Sequence, residues 1–216
     1  MQHPKLKLNS LDQLTKLLLK KIKSNQSNRL MVCIAGAPGS GKSYISSNLL
    51  KKINFIRQQS EIFEMDGFHY DDVILKKKKL IKRKGSQQTF DVMGLKSFLQ
   101  RLKTNNEVQV TVPIFDRKLE LSRGSAKIIK NTIPLIITEG NYLLLKQKPW
   151  SELQSYFDLT IMIKSSQKNL SKRLTERWKS FNYSKDIIKQ KVFENDLPNA
   201  RYVYKNSIKA DIEFTN

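Results

Sequence analysis

The sequence predicts an α/β protein of three layers, in which helices flank a mainly parallel sheet of five strands. Two observations predict this architecture. Five short apolar runs, each as long as a buried strand, alternate with segments whose apolar residues recur at helical spacing. A Gly-rich loop joins the first run to a helix, and the next run completes a βαβ unit with parallel strands. We therefore expect ligands at the carboxyl ends of the strands.

The Gly-rich loop is the most specific signal in the chain. Residues 36–43 have the sequence GAPGSGKS, which fits the phosphate-binding pattern G-x-x-x-x-G-K-[ST]. Glycines let the backbone wrap around phosphate oxygens, so that N–H groups and a helix N-terminus point at negative charge. The alternative is an ordinary Gly-rich turn. The four fixed positions of the pattern would be matched by chance in under about one chain of this length in a hundred. The loop therefore predicts a P-loop NTPase fold.

Two residues of the loop have separate predicted roles. The Lys42 side chain is expected to reach the β- and γ-phosphates of ATP, and the Ser43 hydroxyl is expected to hold Mg²⁺. The predicted nucleotide-binding residues are Gly36, Ala37, Pro38, Gly39, Ser40, Gly41, Lys42, Ser43 and Tyr44.

The other elements follow in chain order. Residues 10–23 carry leucines on one helical face and are predicted to form a helix docked on the core, with a membrane-surface helix as the alternative. Residues 24–28 are a polar connector. The predicted strands are 30–35, 61–66, 108–112, 133–140 and 158–163, with 211–214 as a last edge strand; the predicted helices include 44–53, 95–102 and 170–178.

The composition is strongly basic. The 216 residues include 40 Lys and Arg against 19 Asp and Glu, a net charge of +21, which would attract nucleic acid, anionic membrane or anionic metabolites. The lysines are spread along the chain, however, and the run at 76–79 is interpreted as a solvated helix face. The chain has no aromatic-interleaved basic stripe and no separate nucleic-acid module. The net charge alone does not identify the binding partner.

Cysteine use and hydropathy bear on the compartment. Cys33 lies in the apolar run before the loop and is interpreted as a buried small hydrophobe, typical of a reducing cytoplasm. No apolar stretch approaches the ~20 residues of a membrane span. We expect a cytoplasmic monomer or homodimer. His3, near the amino terminus, carries no argument.

Charged residues follow the predicted strands where ligands are expected. Phosphoryl transfer needs charge neutralisation, an aligned hydroxyl and in some cases a base for its proton. Glu139 is predicted to be a carboxylate on the metal side, and Asp66 is predicted to be the base, held near Mg²⁺. Phe115 either faces the substrate or packs in the core.

Three further residues are weighed in the same way. Arg173 and Arg177 are four residues apart, so a helix closing over the site could direct both at the transferring phosphate; a solvated basic helix face is the alternative. His69 has no partner His or Cys pattern and is expected to bind substrate by a hydrogen bond or to be structural.

Several motifs together resemble those of a known family. They are Asp66-Gly67-Phe68-His69, Arg83-Lys84-Gly85, Thr89-Phe90-Asp91, Pro113-Ile114-Phe115-Asp116-Arg117, Glu139-Gly140-Asn141-Tyr142, Arg173 to Trp178 and Asn195-Asp196-x-Pro198-Asn199. Over residues 28–212 the chain resembles the phosphoribulokinase, uridine kinase and bacterial pantothenate kinase superfamily of P-loop small-molecule kinases. Within it, the chain is similar to the branch described as fructose-kinase-like or as nucleoside triphosphate hydrolase.

The resemblance implies domains and roles. It implies a kinase domain at 28–216 with a lid around 171–185, and leaves residues 1–27 as an N-terminal helix docked on the core. Asp66 matches the family's base, and Glu139 matches its carboxylate near Mg²⁺. Arg173 and Arg177 match the arginines of its lid. The implied substrate-binding residues are Phe68, His69, Tyr70, Arg83, Asp91, Phe115, Arg117 and Tyr142.

The chain departs from the family pattern in two places. Residues 85–88 read GSQQ, where the family has a carboxylate, and the glycine expected after Trp178 is missing. The first departure bears on the identity of the acceptor and the second on the geometry of the lid. The segment 195–199 matches a signature of the branch to which we assign only a hypothetical place near the adenine.

The predicted function is an ATP- and Mg²⁺-dependent kinase that phosphorylates a hydroxyl group of a small metabolite, such as a sugar, a nucleoside or a pantothenate-like alcohol. The alternative is a nucleotide-dependent nucleic-acid-binding or regulatory P-loop protein, in which the positive charge holds a polyanion. The expected partner is the small-molecule acceptor rather than nucleic acid.

Overall fold

A parallel sheet forms the centre of the molecule. The computed structural model describes residues 6–25, 29–55 and 58–216; His3 and residues 26–28 of the predicted connector lie outside the described residues. The described strands are β1 (Leu6–Leu8), β2 (Leu30–Gly36), β3 (Ser60–Glu64), β4 (Gln109–Asp116), β5 (Leu121–Lys130), β6 (Leu135–Gly140), β7 (Leu159–Lys164) and β8 (Ile212–Thr215). Six of them form one sheet in the order β1-β8-β7-β2-β6-β3, and all neighbouring pairs in it run parallel.

Helices cover both faces of this sheet. They are α1 (Leu11–Ser24), α2 (Lys42–Ile53), α3 (Asp72–Lys77), α4 (Val92–Thr104), α5 (Gln167–Ser180), α6 (Lys185–Gln190) and α7 (Leu197–Asn206). A single turn of π-helix, Lys191–Asp196, joins α6 to α7. None of the helices in the described ranges is both long enough and apolar enough to cross a membrane.

The alternation of side chains along β2 explains the layers. Val32 and Ile34 belong to an apolar cluster that contains residues of α1 and α2, among them the fully buried Leu14. Met31 and Cys33 belong to a second cluster that includes α4 residues. Successive side chains of a strand point to opposite faces, so this strand, buried throughout, holds one helical layer on each side.

The α/β fold with a mainly parallel sheet between helices is confirmed, but the sheet has six strands rather than five. The predicted strand at 108–112 is not part of it. β4 instead pairs antiparallel with β5 in a separate hairpin. The two strands are joined by residues 117–120 only, and so short a connection permits a hairpin but no parallel crossover. Neither β1 nor β5 was expected from the sequence.

The hairpin brings the end of β4 to the end of β3. A short 3₁₀ turn, Met65–Phe68, follows β3. A Cβ atom at Gly67 would lie 2.6 Å from the carbonyl oxygen of Pro113 in β4. Glycine therefore permits the close approach that places the end of the hairpin beside Asp66.

Candidate active site

The phosphate-binding loop connects β2 to α2 at the carboxyl edge of the sheet. Gly39 and Gly41 have φ angles of 76° and 92°, a region that glycine enters without steric penalty. The carbonyl oxygen of Ser40 accepts hydrogen bonds from Arg173 Nη1 at 3.2 Å and Asn216 Nδ2 at 2.8 Å. The loop is thus held in shape by its own glycines and by α5, with the α2 N-terminus directed at it.

Lys42 is buried in the first turn of α2. Its Nζ donates to Asn141 Oδ1 at 2.6 Å and to the Ala37 carbonyl oxygen at 3.2 Å. Burial lowers the pKa of Lys42, while the charges of Glu139 and Asp66 act in the opposite direction. Both hydrogen-bond acceptors are neutral, so the ammonium can exchange them for anionic phosphate oxygens.

Glu139 and Ser43 meet beside Lys42. Ser43 Oγ donates to Glu139 Oε1 at 2.9 Å, and Glu139, next to last in β6, is only 6% exposed. Burial raises the pKa of Glu139, opposed by Lys42. The pair supplies the hard oxygen donors that Mg²⁺ prefers. Among the residues that the structure describes, no group of three or more His, Cys, Asp or Glu could hold a metal ion.

Asp66 lies on the turn after β3, facing the hairpin. Arg117 Nη2 donates to Asp66 Oδ2 at 2.8 Å. Burial acts to raise the pKa of Asp66, but the charges of His69, Arg117, Lys42 and Arg177 together hold it below its ordinary value. Asp66 is therefore ionised at neutral pH.

His69 forms the wall next to Asp66. Its ring lies between those of Phe90 and Phe115, with centroid distances of 4.1 and 4.6 Å. Its Nδ1 is 2.8 Å from the Asp66 carbonyl oxygen; because a carbonyl only accepts, Nδ1 carries the hydrogen and Nε2 is an acceptor. Burial lowers the pKa of His69, opposed by Asp66, so the ring is neutral at neutral pH.

A cavity of about 80 Å³ lies between the phosphate loop, the hairpin and α5. Three predicted substrate-binding residues, His69, Phe115 and Arg117, line it together with Asp66 and Arg177. The rest of the lining is Pro38, Lys84, Gly85, Glu120, Asn141, Trp178 and Asp196. Arg173 instead contacts the phosphate-binding loop, and Tyr44 is 66% exposed.

The other predicted substrate-binding residues have different surroundings. Phe68 and Tyr142 are buried in the core, and the Tyr142 hydroxyl donates to the Gly85 carbonyl oxygen at 2.6 Å. Asp91 caps the N-terminus of α4 by accepting from the Gly94 backbone N–H at 2.9 Å. Tyr70 lies under the Lys78 ammonium at 5.5 Å.

Arg83 lies in a neighbouring, larger cavity of about 410 Å³. Its Nη1 donates to the Glu194 carbonyl oxygen at 3.0 Å. Its Nη2 donates to Asn199 Oδ1 at 3.4 Å, and Asn195 Nδ2 donates to the Lys84 carbonyl oxygen at 3.0 Å, so the motif at 195–199 packs against the Arg83-Lys84 motif. Asp196 lines the cavity that contains Asp66. The place of this motif near the adenine stays a prediction.

Six lining residues were not predicted as site residues: Lys84, Gly85, Glu120, Asn141, Trp178 and Asp196. Asn141 follows Glu139 at the end of a buried strand, and that position was a usable signal. Lys84 and Asp196 lie in motifs noted in the sequence, but nothing in the local pattern shows that two distant segments converge on one cavity.

Comparisons with known proteins give one set of relatives. An uncharacterized protein, YggC, of Escherichia coli strain K12 is 30% identical over 194 residues, which are 87% of this chain and 78% of that protein. A candidate uridine kinase, C227.14, of Schizosaccharomyces pombe is 27% identical over 213 residues, or 95% of this chain and 90% of that protein.

Solved structures were also found to be similar to this chain. The crystal structure of a candidate fructose transport system kinase from Silicibacter sp. TM1040 superposes with a TM-score of 0.87 at 32% identity, covering 94% of this chain and 98% of that chain. No protein-family model matches the sequence.

Proposed function

Since the chain belongs to the superfamily of P-loop small-molecule kinases that contains phosphoribulokinase, uridine kinase and bacterial pantothenate kinase, we propose that it transfers the γ-phosphoryl group of ATP to a hydroxyl group of a small metabolite. One observation carries the proposal. Pro38 of the phosphate loop, the ionised Asp66 and the Arg177 guanidinium line the same cavity. An anion-binding loop, a base and a cation thus converge where a transferring phosphoryl group would lie.

The nucleotide side of the proposal rests on the loop. Lys42 would bind the β- and γ-phosphates, releasing Asn141, and Ser43 with Glu139 would hold Mg²⁺. The metal ion, when bound, neutralises charge on the phosphates. When the nucleotide binds, the buried Lys42 would exchange neutral hydrogen-bond acceptors for anionic phosphate oxygens. This exchange favours binding of the triphosphate.

The acceptor side rests on Asp66. Arg117 occupies Oδ2 at 2.8 Å, which leaves Oδ1 to accept a hydrogen bond from the acceptor hydroxyl. This hydrogen bond would orient the hydroxyl oxygen toward the γ-phosphorus. Asp66 would take up the hydroxyl proton as the new P–O bond forms and the bond from the γ-phosphorus to the β–γ bridging oxygen breaks, releasing ADP. Arg177 has no carboxylate partner within ion-pair distance in the described residues and is the cation available to the transferring group.

We further infer a cytoplasmic protein that acts as a monomer or homodimer and does not act on nucleic acid. A reduced, fully buried Cys33 supports the cytoplasm.

The test is ADP release from Mg·ATP with a panel of sugars, nucleosides, pantothenate and other small alcohols. We expect acceptor-dependent release that falls about 10²- to 10⁴-fold in Asp66→Asn, while nucleotide affinity is kept. Asp186→Asn, on the exposed surface of α6, is the matched control and should behave as wild type. Full turnover by Asp66→Asn would remove Asp66 from the mechanism, and release indifferent to every acceptor would overturn the proposed function.

A further inference from the structure

We propose that Asn216 is a positioning residue for nucleotide binding: its side-chain amide holds the peptide group between Ser40 and Gly41 so that the Gly41 N–H faces the phosphates. This inference rests on the nucleotide side of the proposed function. It adds to the site a residue that lies outside the phosphate-binding motif, 176 positions from Ser40 in the chain.

The Asn216 side chain contacts the phosphate-binding loop directly. Its Nδ2 donates to the Ser40 carbonyl oxygen at 2.8 Å, a shorter bond than the 3.2 Å from Arg173 Nη1 to the same atom. A Cβ atom at Gly41 would lie 2.1 Å from Asn216 Nδ2. A side chain at this position would therefore displace the amide, so the glycine permits both the positive φ angle of the loop and this contact.

The hydrogen bond to Ser40 fixes the direction of one peptide group. The peptide between Ser40 and Gly41 is trans, and the C=O and N–H groups of a trans peptide point in opposite directions. Donors that hold the Ser40 carbonyl oxygen on one side therefore direct the Gly41 N–H to the other side. Among the residues that the structure describes, none accepts a hydrogen bond from this N–H. Free N–H groups of a Gly-rich loop form the concave surface that binds phosphate oxygens.

The sheet fixes the position of Asn216. Its backbone N–H donates to the Lys164 carbonyl oxygen at 3.0 Å, which continues the parallel pairing of β7 with β8. Phe214, on the same strand, is 3% exposed and belongs to the apolar cluster that contains residues of α1 and α2. The amide is therefore preorganised at the carboxyl edge of the sheet, where the phosphate-binding loop also lies.

Asn216 and Arg173 should respond differently to a bound nucleotide. The Arg173 guanidinium is a cation, and hydrogen bonds from a cation to phosphate oxygens are roughly twice as strong as neutral ones. Phosphates in the loop therefore attract Arg173 away from the Ser40 carbonyl oxygen. The Asn216 amide is neutral and is not attracted in this way. We expect Asn216 to be the donor that holds the peptide group once the nucleotide is bound.

The first measurement is nucleotide affinity. Dissociation constants of Mg·ATP and Mg·ADP are measured by calorimetry for wild type, Asn216→Leu and Thr215→Val. Asn216→Leu keeps the approximate size of the side chain and removes the donor, whereas Thr215→Val changes the exposed neighbour on the same strand and is the matched control. We expect Asn216→Leu to raise both dissociation constants about 3- to 10-fold, the loss of one neutral hydrogen bond. At saturating ATP, kcat should change less than about twofold, and Thr215→Val should behave as wild type.

A second measurement observes the peptide group itself. Ser40-Gly41 is the only Ser-Gly pair in the sequence, so a protein made by cell-free synthesis with ¹³C-carbonyl serine and ¹⁵N-glycine gives one selected amide resonance, that of Gly41. We expect this resonance to differ between wild type and Asn216→Leu without nucleotide, because the variant no longer fixes the peptide group. Saturating Mg·ADP should shift it less in Asn216→Leu than in wild type or Thr215→Val. A role confined to the stability of β8 would leave this resonance unchanged.

Equal nucleotide affinities of wild type and Asn216→Leu would overturn the inference. An equal loss in Thr215→Val would also overturn it, since the effect would then belong to the strand end in general, as would a fall in kcat at unchanged affinity. If Asn216→Leu does not fold, Asn216→Ala takes its place in both measurements. Nucleotide binding that depends on Asn216, without turnover of any acceptor, would support this inference and overturn the proposed function. Absence of nucleotide binding by the wild type would overturn both.

Discussion

At the scale of single residues, the histidine beside Asp66 has a defined protonation state. The Asp66 carbonyl oxygen accepts from Nδ1 of His69, and two phenyl rings enclose the imidazole. Burial disfavours its charged form. His69 therefore offers a hydrogen-bond acceptor to the cavity at neutral pH.

This state predicts a pH dependence of stability. An unfolded histidine titrates near pH 6.5, and burial places the pKa of folded His69 lower. Below about pH 6.5 the unfolded chain thus binds a proton that the folded protein does not, so the free energy of unfolding should fall as the pH drops from about 7 to 5. His69→Gln should make this dependence shallower in urea unfolding.

The pKa itself can be measured directly. The chain has two histidines, so a His3→Gln background leaves His69 alone in an NMR titration. A value at or above 6.5 would contradict the assignment.

The sequence did not predict which side chains near the strand ends face the core and which face the cavity. Phe68, His69 and Phe115 all stand in motifs near predicted strand ends, yet Phe68 enters the core while the other two line the cavity. The period-two alternation of strands ends where the 3₁₀ turn begins. No periodicity then indicates which side chain faces inward.

At the scale of secondary-structure elements, a buried arginine joins three segments. Arg29 precedes β2 and is 4% exposed. Its guanidinium donates to the carbonyl oxygens of Leu102 at 3.1 Å, Lys130 at 2.6 Å and Ile133 at 3.0 Å. Burial lowers the pKa of Arg29 to about 10, so it remains charged. It thereby ties α4 and the hairpin to the sheet.

Replacing this arginine should destabilise the fold. Arg29→Met leaves three buried carbonyl oxygens without their donor, and we expect the free energy of unfolding to fall by about 3 kcal/mol or more. Arg101→Met, in an exposed pair with Glu107 whose side chains are 39% and 43% accessible, should cost less than about 1 kcal/mol. Chemical denaturation measures both, and equal losses would contradict the role of Arg29.

The two arginines of α5 should have separable effects. Arg177 lines the cavity with Asp66, whereas Arg173 donates to the phosphate loop. We expect Arg177→Gln to lower kcat by about 10³-fold with little change in ATP affinity, and Arg173→Gln to act mainly on ATP affinity. Steady-state kinetics against ATP and acceptor give both constants. A common effect on kcat alone would mean that both arginines contact the transferring phosphate.

At the scale of the whole molecule, the net charge of +21 raises the question of a polyanion. The basic run at 76–79 is exposed, as expected for a solvated surface. We expect DNA binding no tighter than about 10⁻⁶ M at physiological salt, the range of non-specific binding, and unaffected by Mg·ATP. Fluorescence anisotropy across a salt series tests this. Tighter binding with a steep salt slope that responds to ATP would support the nucleic-acid alternative.

The class of the fold and the phosphate-binding loop were predictable from the sequence, because apolar periodicity and the glycine spacing are local properties of the chain. It also indicated Asp66 and Glu139, since carboxyl ends of parallel strands share one edge of a sheet.

The set of residues that surrounds Asp66 in the cavity could not be predicted from the sequence. The β4–β5 hairpin, the Arg83-Lys84 segment and the π turn with Asp196 are distant in the chain and converge on one cavity. Such convergence depends on packing between elements, which no local pattern encodes. The lining of the cavity therefore depends on the folded chain, whereas the phosphate-binding loop can be recognised in the sequence.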